Sequence, residues 1–198
     1  ELGTVYRPDE LQALSTLAHA HGLAVHMDGA RFANAIAFLG CSPAEATWRA
    51  GIDVLSFGAT KNGTMAAEAV VFFDPDRAAD FEFRRKRAAH LFSKMRFLSV
   101  QLLAYLEDGL WLQLAARANA HAQRLAGAAG DLLLQPVEDN EVFVHPGADG
   151  IAALRAQGFA FYDWGSTDSG EARFVVSWDQ PDRDVDALCT ALEGLRSS

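Results

Sequence analysis

Two residues of this chain could do covalent chemistry together. Asp28 closes the apolar run Leu23–Met27 and is followed at once by Gly29, Ala30 and Arg31. Lys61 comes 33 positions later, in Thr60-Lys61-Asn62-Gly63, again straight after an apolar run. In open α/β sheets ligands bind beyond the carboxyl ends of the strands, and both residues are expected there. A lysine amine condenses with an aldehyde, and a carboxylate keeps a pyridine nitrogen protonated, so the pair suits pyridoxal 5'-phosphate. Spacing alone leaves plainer readings open. An aspartate at a strand end also caps helices or pairs with a cation, and a lone lysine is commonly solvated. His26 shares a strand face with Asp28, because residues i and i+2 point the same way, and its plainer reading is a core histidine.

The elements that must position these residues can be read from periodicity. Pro8-Asp9-Glu10 opens a helix that Gly22 stops, with acids in the first turn. "LAVHMD" reads as a strand buried on both faces, and "GARFANAIAFLG" as a helix ending at Gly40. Ser42-Pro43-Ala44-Glu45 is a capping box that predicts a short helix closed by Gly51. "IDVLSFGA" and "AEAVVFFD" read as the next two strands. The pattern is an α/β layer with a mainly parallel sheet. From Asp74 onward the chain turns helical, with an interruption predicted near His90 to Phe97 and a basic run, Arg84–Arg87, that reads as a solvated face. After Gly130 a strand, a helix over 150–157, the strand "FVVSWD" and a helix over 182–195 predict a small α+β domain.

Composition narrows the field. Half of the 198 residues are hydrophobic, enough for a sizeable core. The net charge of −9 argues against nucleic acid as a partner, since a phosphate backbone calls for a basic surface. No apolar run reaches the length of a membrane span. Cys41 and Cys189 have no metal-ligand spacing and fit reduced thiols in a cytoplasmic protein.

Three separated motifs, in order, sharpen the reading: "HMDGAR" at 26–31, "SFGATKNG" at 56–63 and "AEAVVFF" at 67–73. The chain resembles the threonine aldolase family of pyridoxal-phosphate enzymes, most of all the bacterial low-specificity L-threonine aldolases. The likeness continues through residues 81–112 and "ARFVVSWD" at 172–179. The resemblance implies a fold-type-I, aspartate-aminotransferase-like enzyme. Residues 1–95 would be the C-terminal part of its large cofactor-binding domain, 96–129 a connecting long helix and 130–198 the small α+β domain. It makes Lys61 the Schiff-base lysine and Asp28 the partner of the pyridine nitrogen. It sets Arg31 beside the cofactor, helping to hold the substrate carboxylate, and makes Arg173 a second carboxylate-binding arginine. Thr60 would lie near the phosphate. His90, Lys94 and Arg96 could approach a neighbouring subunit's site.

The implied activity is reversible cleavage of a β-hydroxy-α-amino acid, such as L-threonine or L-allo-threonine, to glycine and an aldehyde. Another fold-type-I lyase or an aminotransferase is the alternative, as is a catalytically silent module. The implied partners are a small amino-acid substrate and further copies of the chain, as dimer or tetramer. The family's N-terminal half, with its phosphate-binding turn, ring-stacking residue and β-hydroxyl histidine, has no counterpart before Glu1, so the chain reads as an N-terminally truncated member.

Overall fold

The computed structural model describes residues 2–166 and 169–196. The chain divides into two compact units, one of residues 6–113 and one of residues 1–5 with 114–198.

In the first unit, β1 (His26–Gly29), β2 (Val54–Gly58) and β3 (Glu68–Phe72) form a sheet in that order. β1 and β2 run parallel, with Asp28 beside Ser56, and β3 is antiparallel to β2. Over these strands the mainly parallel sheet of the sequence reading is one parallel pair and one reversed strand. The connection 59–67 is too short for the helical crossover a parallel neighbour needs. Helix α1 (Pro8–Ala20) precedes the sheet, and α2 (Phe32–Leu39) follows β1 and stops at Gly40 with φ 64°. The Ser42 capping box forms, with Ser42 N donating to Glu45 Oε2 at 2.8 Å. The predicted helix does not propagate from it. Thr47 leaves helical geometry at φ −133°, ψ −108°, and the segment ends in a single 3-10 turn, Trp48–Ala50.

One sheet face is buried. Leu55 and Phe57 pack there, and Phe57 meets Phe32 of α2, Tyr105 of α4 (Arg96–Leu106) and Trp111 of α5 (Leu110–Ala129) at centroid distances of 6.2, 6.1 and 5.8 Å. Each such ring contributes roughly 1.5–3 kcal/mol on burial. The other face is bare around Asp28, and Val70 is 41% exposed. β1 is therefore not the doubly buried strand its apolar run suggests. Helix α3 (Phe81–Arg87) buries no residue, as a solvated basic face should. Residues 88–95 interrupt the helices near the predicted place. The stretch 96–129 is itself broken at Glu107–Gly109, where Asp108 adopts φ 51°.

The second unit packs α5, α6 (Gly147–Ala156) and α7 (Asp182–Arg196) with an antiparallel sheet of order β4–β6–β5, formed by Glu141–Val144, Glu171–Val175 and Tyr162–Trp164. α5 buries Ala115, Ala118, Ala122, Leu125 and Ala129, a helical face of small residues that permits close approach. Val142, Val144, Leu154, Ala172 and Leu192 are fully buried in this core. No helix among the described residues is long and apolar enough to cross a membrane.

Candidate active site

The strand ends that carry the candidate residues meet backbone to backbone. A Cβ on Gly58 would stand 2.6 Å from Ala30 Cα and 2.8 Å from the Ala30 oxygen. A Cβ on Gly29 would stand 2.6 Å from the Ser56 oxygen. No side chain tolerates such distances, so only glycine at both positions lets the Asp28 end of β1 lie against the end of β2. Three residues after Gly58 comes Lys61.

Asp28 is exposed, and its Oδ1 accepts the Ala30 N–H at 3.0 Å in a local turn. His26, on the same face, is exposed rather than a core residue. Its Nε2 lies 2.8 Å from Ser56 Oγ, the side chain beside Asp28 in the strand register. Arg31 is half-buried and occupies the N-cap position of α2, without a side-chain capping hydrogen bond.

Lys61 stands in a 3-10 turn, Thr60–Asn62, that is held on both sides. Thr60 N donates to Glu68 Oε1 at 3.1 Å. Asn62, 3% exposed, donates from Nδ2 to the Tyr105 hydroxyl at 2.6 Å and to the Trp111 carbonyl at 2.8 Å. The loop beyond is tied to α4, where Gln101 Oε1 accepts from Met65 N at 3.0 Å and Ala66 N at 3.3 Å. Within this fixed turn Lys61 itself is exposed and, among the described residues, makes no hydrogen bond or ion pair. Thr60 is exposed beside it. Asn62 is the residue that sequence reasoning passed over. The signal was present, since an asparagine between a lysine and a glycine is a poor strand residue and needs a partner when buried.

Asp28, Arg31, Thr60 and Lys61 thus share the first unit, and Arg173 belongs to the second. Arg173 lies on β6 between Ala172 and Phe174, which face the core. Its guanidinium stands over the rings of Tyr162 and Trp164 and 3.5 Å from Glu141 Oε1. Arg173 and Tyr162 also border a cavity of about 340 Å³ whose other walls include Phe159, Phe161, Val185 and Leu188.

The beta-eliminating lyase family matches residues 1–147. The low-specificity L-threonine aldolase of Pseudomonas sp. (strain NCIMB 10558) is 50% identical over 202 residues, covering all of this chain and 58% of that protein. That of Pseudomonas aeruginosa is 52% identical over 183 residues, covering 90% of this chain and 52% of its own length. The chain therefore spans little more than half the length of the curated relatives it matches. Among solved structures, the threonine aldolase of Leishmania major superimposes with a TM-score of 0.87 at 27% identity, over 98% of this chain and 58% of that one.

Proposed function

The chain belongs to the beta-eliminating lyase family, and from that premise we propose that it forms part of a pyridoxal-phosphate-dependent aldolase. The substrate class is β-hydroxy-α-amino acids of the L-threonine type, cleaved to glycine and an aldehyde. One observation carries the proposal: a solvated lysine on a doubly tethered turn stands just past the end of a strand whose parallel neighbour carries an exposed aspartate one residue before its own end. The identity to named threonine aldolases supports the choice of reaction.

The residues present fit the cofactor. Lys61, without a hydrogen bond or ion pair among the described residues, is free to condense with an aldehyde. Asp28 spends one oxygen on its own turn, at Ala30 N, and leaves the other for a ring nitrogen. When bound, pyridoxal phosphate supplies the aldehyde and an electron-accepting ring. Lys61 Nζ would be the attachment point for the aldehyde, and as a free amine it could hold a proton. Asp28 would keep the ring nitrogen protonated by charge pairing. Arg31 would help to bind the substrate carboxylate, for which a planar guanidinium offers two parallel donors, and the same chemistry is proposed for Arg173 in its own unit. Thr60 would offer its hydroxyl to the phosphate.

We also propose self-association. α4 exposes Phe97, Val100, Leu103 and Leu106 at a helical spacing, between 48% and 70% each, which is the kind of stripe another copy would cover. Both cysteines are free, which fits a reducing cytoplasm.

The test is to add pyridoxal phosphate, reduce with borohydride and map the adduct by peptide mass. An adduct on Lys61 is the expected result for this chain, and glycine and acetaldehyde formed from L-threonine the expected result for the full-length protein. An adduct on a different lysine overturns the assignment. Conversion of the cofactor to its amine form with no glycine released points to an aminotransferase instead.

A further inference from the structure

Arg173 is held by more than its own strand. Tyr162 on β5 is its register partner, and Trp164, two residues on, shares that face. The guanidinium carbon lies 5.5 Å from the centre of the Tyr162 ring and 5.3 Å from that of Trp164. The indole is fixed in turn by an edge contact with Phe143 of β4, at 4.9 Å and 70°. Nη1 lies 3.5 Å from the buried carboxylate of Glu141. The side chain is only 27% exposed. Its Nε is buried with no hydrogen-bond partner, and no N–H of the guanidinium forms a hydrogen bond among the described residues.

That combination is costly for a residue that merely decorates a surface. A buried donor without an acceptor gives up its water and gains nothing in return. Stacking against rings confines the guanidinium plane while leaving its N–H edge unspent, since the attraction to a ring acts through the face. A carboxylate in that plane would take two of the donors at once. Glu141 meanwhile supplies a negative charge to the same cation and so competes with any incoming anion.

We infer that Tyr162 and Trp164 are positioning residues that hold Arg173 as a ready-made carboxylate grip, with Glu141 as its resident counter-ion. The inference rests on the proposed aldolase reading only for the identity of the ligand, the α-carboxylate of an amino acid. It assigns roles to three residues that act through Arg173.

Removing a ring and removing the counter-charge have opposite expected signs. Trp164→Leu loosens the guanidinium and weakens carboxylate binding roughly five- to tenfold, the scale of one partly desolvated cation–π contact. Glu141→Gln keeps the shape, removes the competing charge and strengthens binding several-fold. Tyr162→Leu acts in the same direction as Trp164→Leu, and Tyr162 is 69% exposed, so folding is not at stake. Trp164→Phe keeps a ring and restores most of the affinity.

The readout is the Arg173 Nε–H resonance in a nitrogen–proton correlation spectrum of the whole chain, titrated with glycine and, separately, acetate. Arg173→Gln identifies the signal. In the wild type the signal is expected to be shifted by the flanking rings and to move saturably with either probe, with the variants ordered as above. A purely structural role would move melting temperature without that split in sign. If the variants titrate like the wild type, the rings and Glu141 do not position Arg173 and the inference falls. If the wild-type signal ignores both probes, the inference falls as well. Lys61 adduct formation, measured on the same sample, reports independently on the cofactor reading. Loss of the titration with a normal Lys61 adduct sinks only this inference, and a normal titration without the adduct sinks only the cofactor reading.

Discussion

Asn62 is the residue whose removal tests the site most directly. Its amide group donates two buried hydrogen bonds, at 2.6 and 2.8 Å, to the Tyr105 hydroxyl and the Trp111 carbonyl. Burial pushes the Tyr105 hydroxyl above its ordinary pKa, with Asn62 acting against that rise, so the ring stays neutral across the working pH range. Asn62→Ala deletes both donors and leaves a small void beside Tyr105 and Trp111. Acceptors orphaned in a buried site cost about 1–3 kcal/mol, and the void adds to that, so a loss of about 2–4 kcal/mol is expected. For a chain of this length that lowers the melting temperature by roughly 5–15 °C. Tyr105→Phe removes one partner only and should cost about 1 kcal/mol. Asn62→Asp should be worse than Ala at neutral pH, because an ionised carboxylate faces the Trp111 carbonyl, and should recover partly in acid, where it regains a donor. The assays are thermal melting by circular dichroism and the rate of borohydride-trapped adduct formation at Lys61. With the turn released, that rate should fall even at temperatures where the variant is fully folded. If Asn62→Ala melts like the wild type and traps cofactor at Lys61 at the same rate, the turn is not held by Asn62 and the reasoning is refuted.

Gly58→Ala drives a methyl into the Ala30 backbone and should cost about 1–3 kcal/mol or more, read in urea midpoints; a neutral effect would mean the strand ends do not meet. Asp28→Asn should still form an adduct at Lys61 but hold the cofactor less tightly, as followed by its absorbance during dialysis; unchanged retention would remove Asp28 from the site. Burial works against the charge on Asp53, yet the Val25 N–H, His19 and Arg77 outweigh it and hold its carboxyl below the ordinary value of 3.8. A lowered carboxylate stabilises the fold above the unfolded pKa and loses that contribution as pH falls through the folded one. Asp53→Asn should therefore be less stable than the wild type near neutrality, and the gap should close below about pH 4; a gap constant with pH would refute the charge's role. Burial raises the Cys189 thiol above 9.0, with Arg124 opposing it, so its alkylation should be slow at neutral pH and accelerate only in alkali; rapid neutral labelling would count against that burial.

The sequence made the sheet edge legible because its logic is local. An apolar run, then Asp-Gly, then a helix, and an apolar run, then Gly-Ala-Thr-Lys, name the two strand ends and the glycines that let them touch. Gly40 and the break after Arg87 are legible for the same reason, since a left-handed residue or a run without apolar periodicity marks itself. What stayed hidden depends on partners distant in the chain. The bonds of Asn62 reach residues 105 and 111, and the grip on Arg173 comes from Glu141, Tyr162 and Trp164 on two other strands. No spacing rule encodes these, because register between strands is set by the whole core. The Ser42 box shows the converse. Its capping hydrogen bonds form as written, yet the helix fails at Thr47, whose hydroxyl donates to the Pro43 carbonyl at 2.6 Å. A helix start needs only four residues to agree, but a helix needs the next turn to pay its own entropy. The bare face around Asp28 follows from the same distinction. Its strand reads as buried because its residues are apolar, whereas burial is conferred by whatever covers them, and His26, exposed and bonded to Ser56, reports a sheet face left open rather than packed into a core.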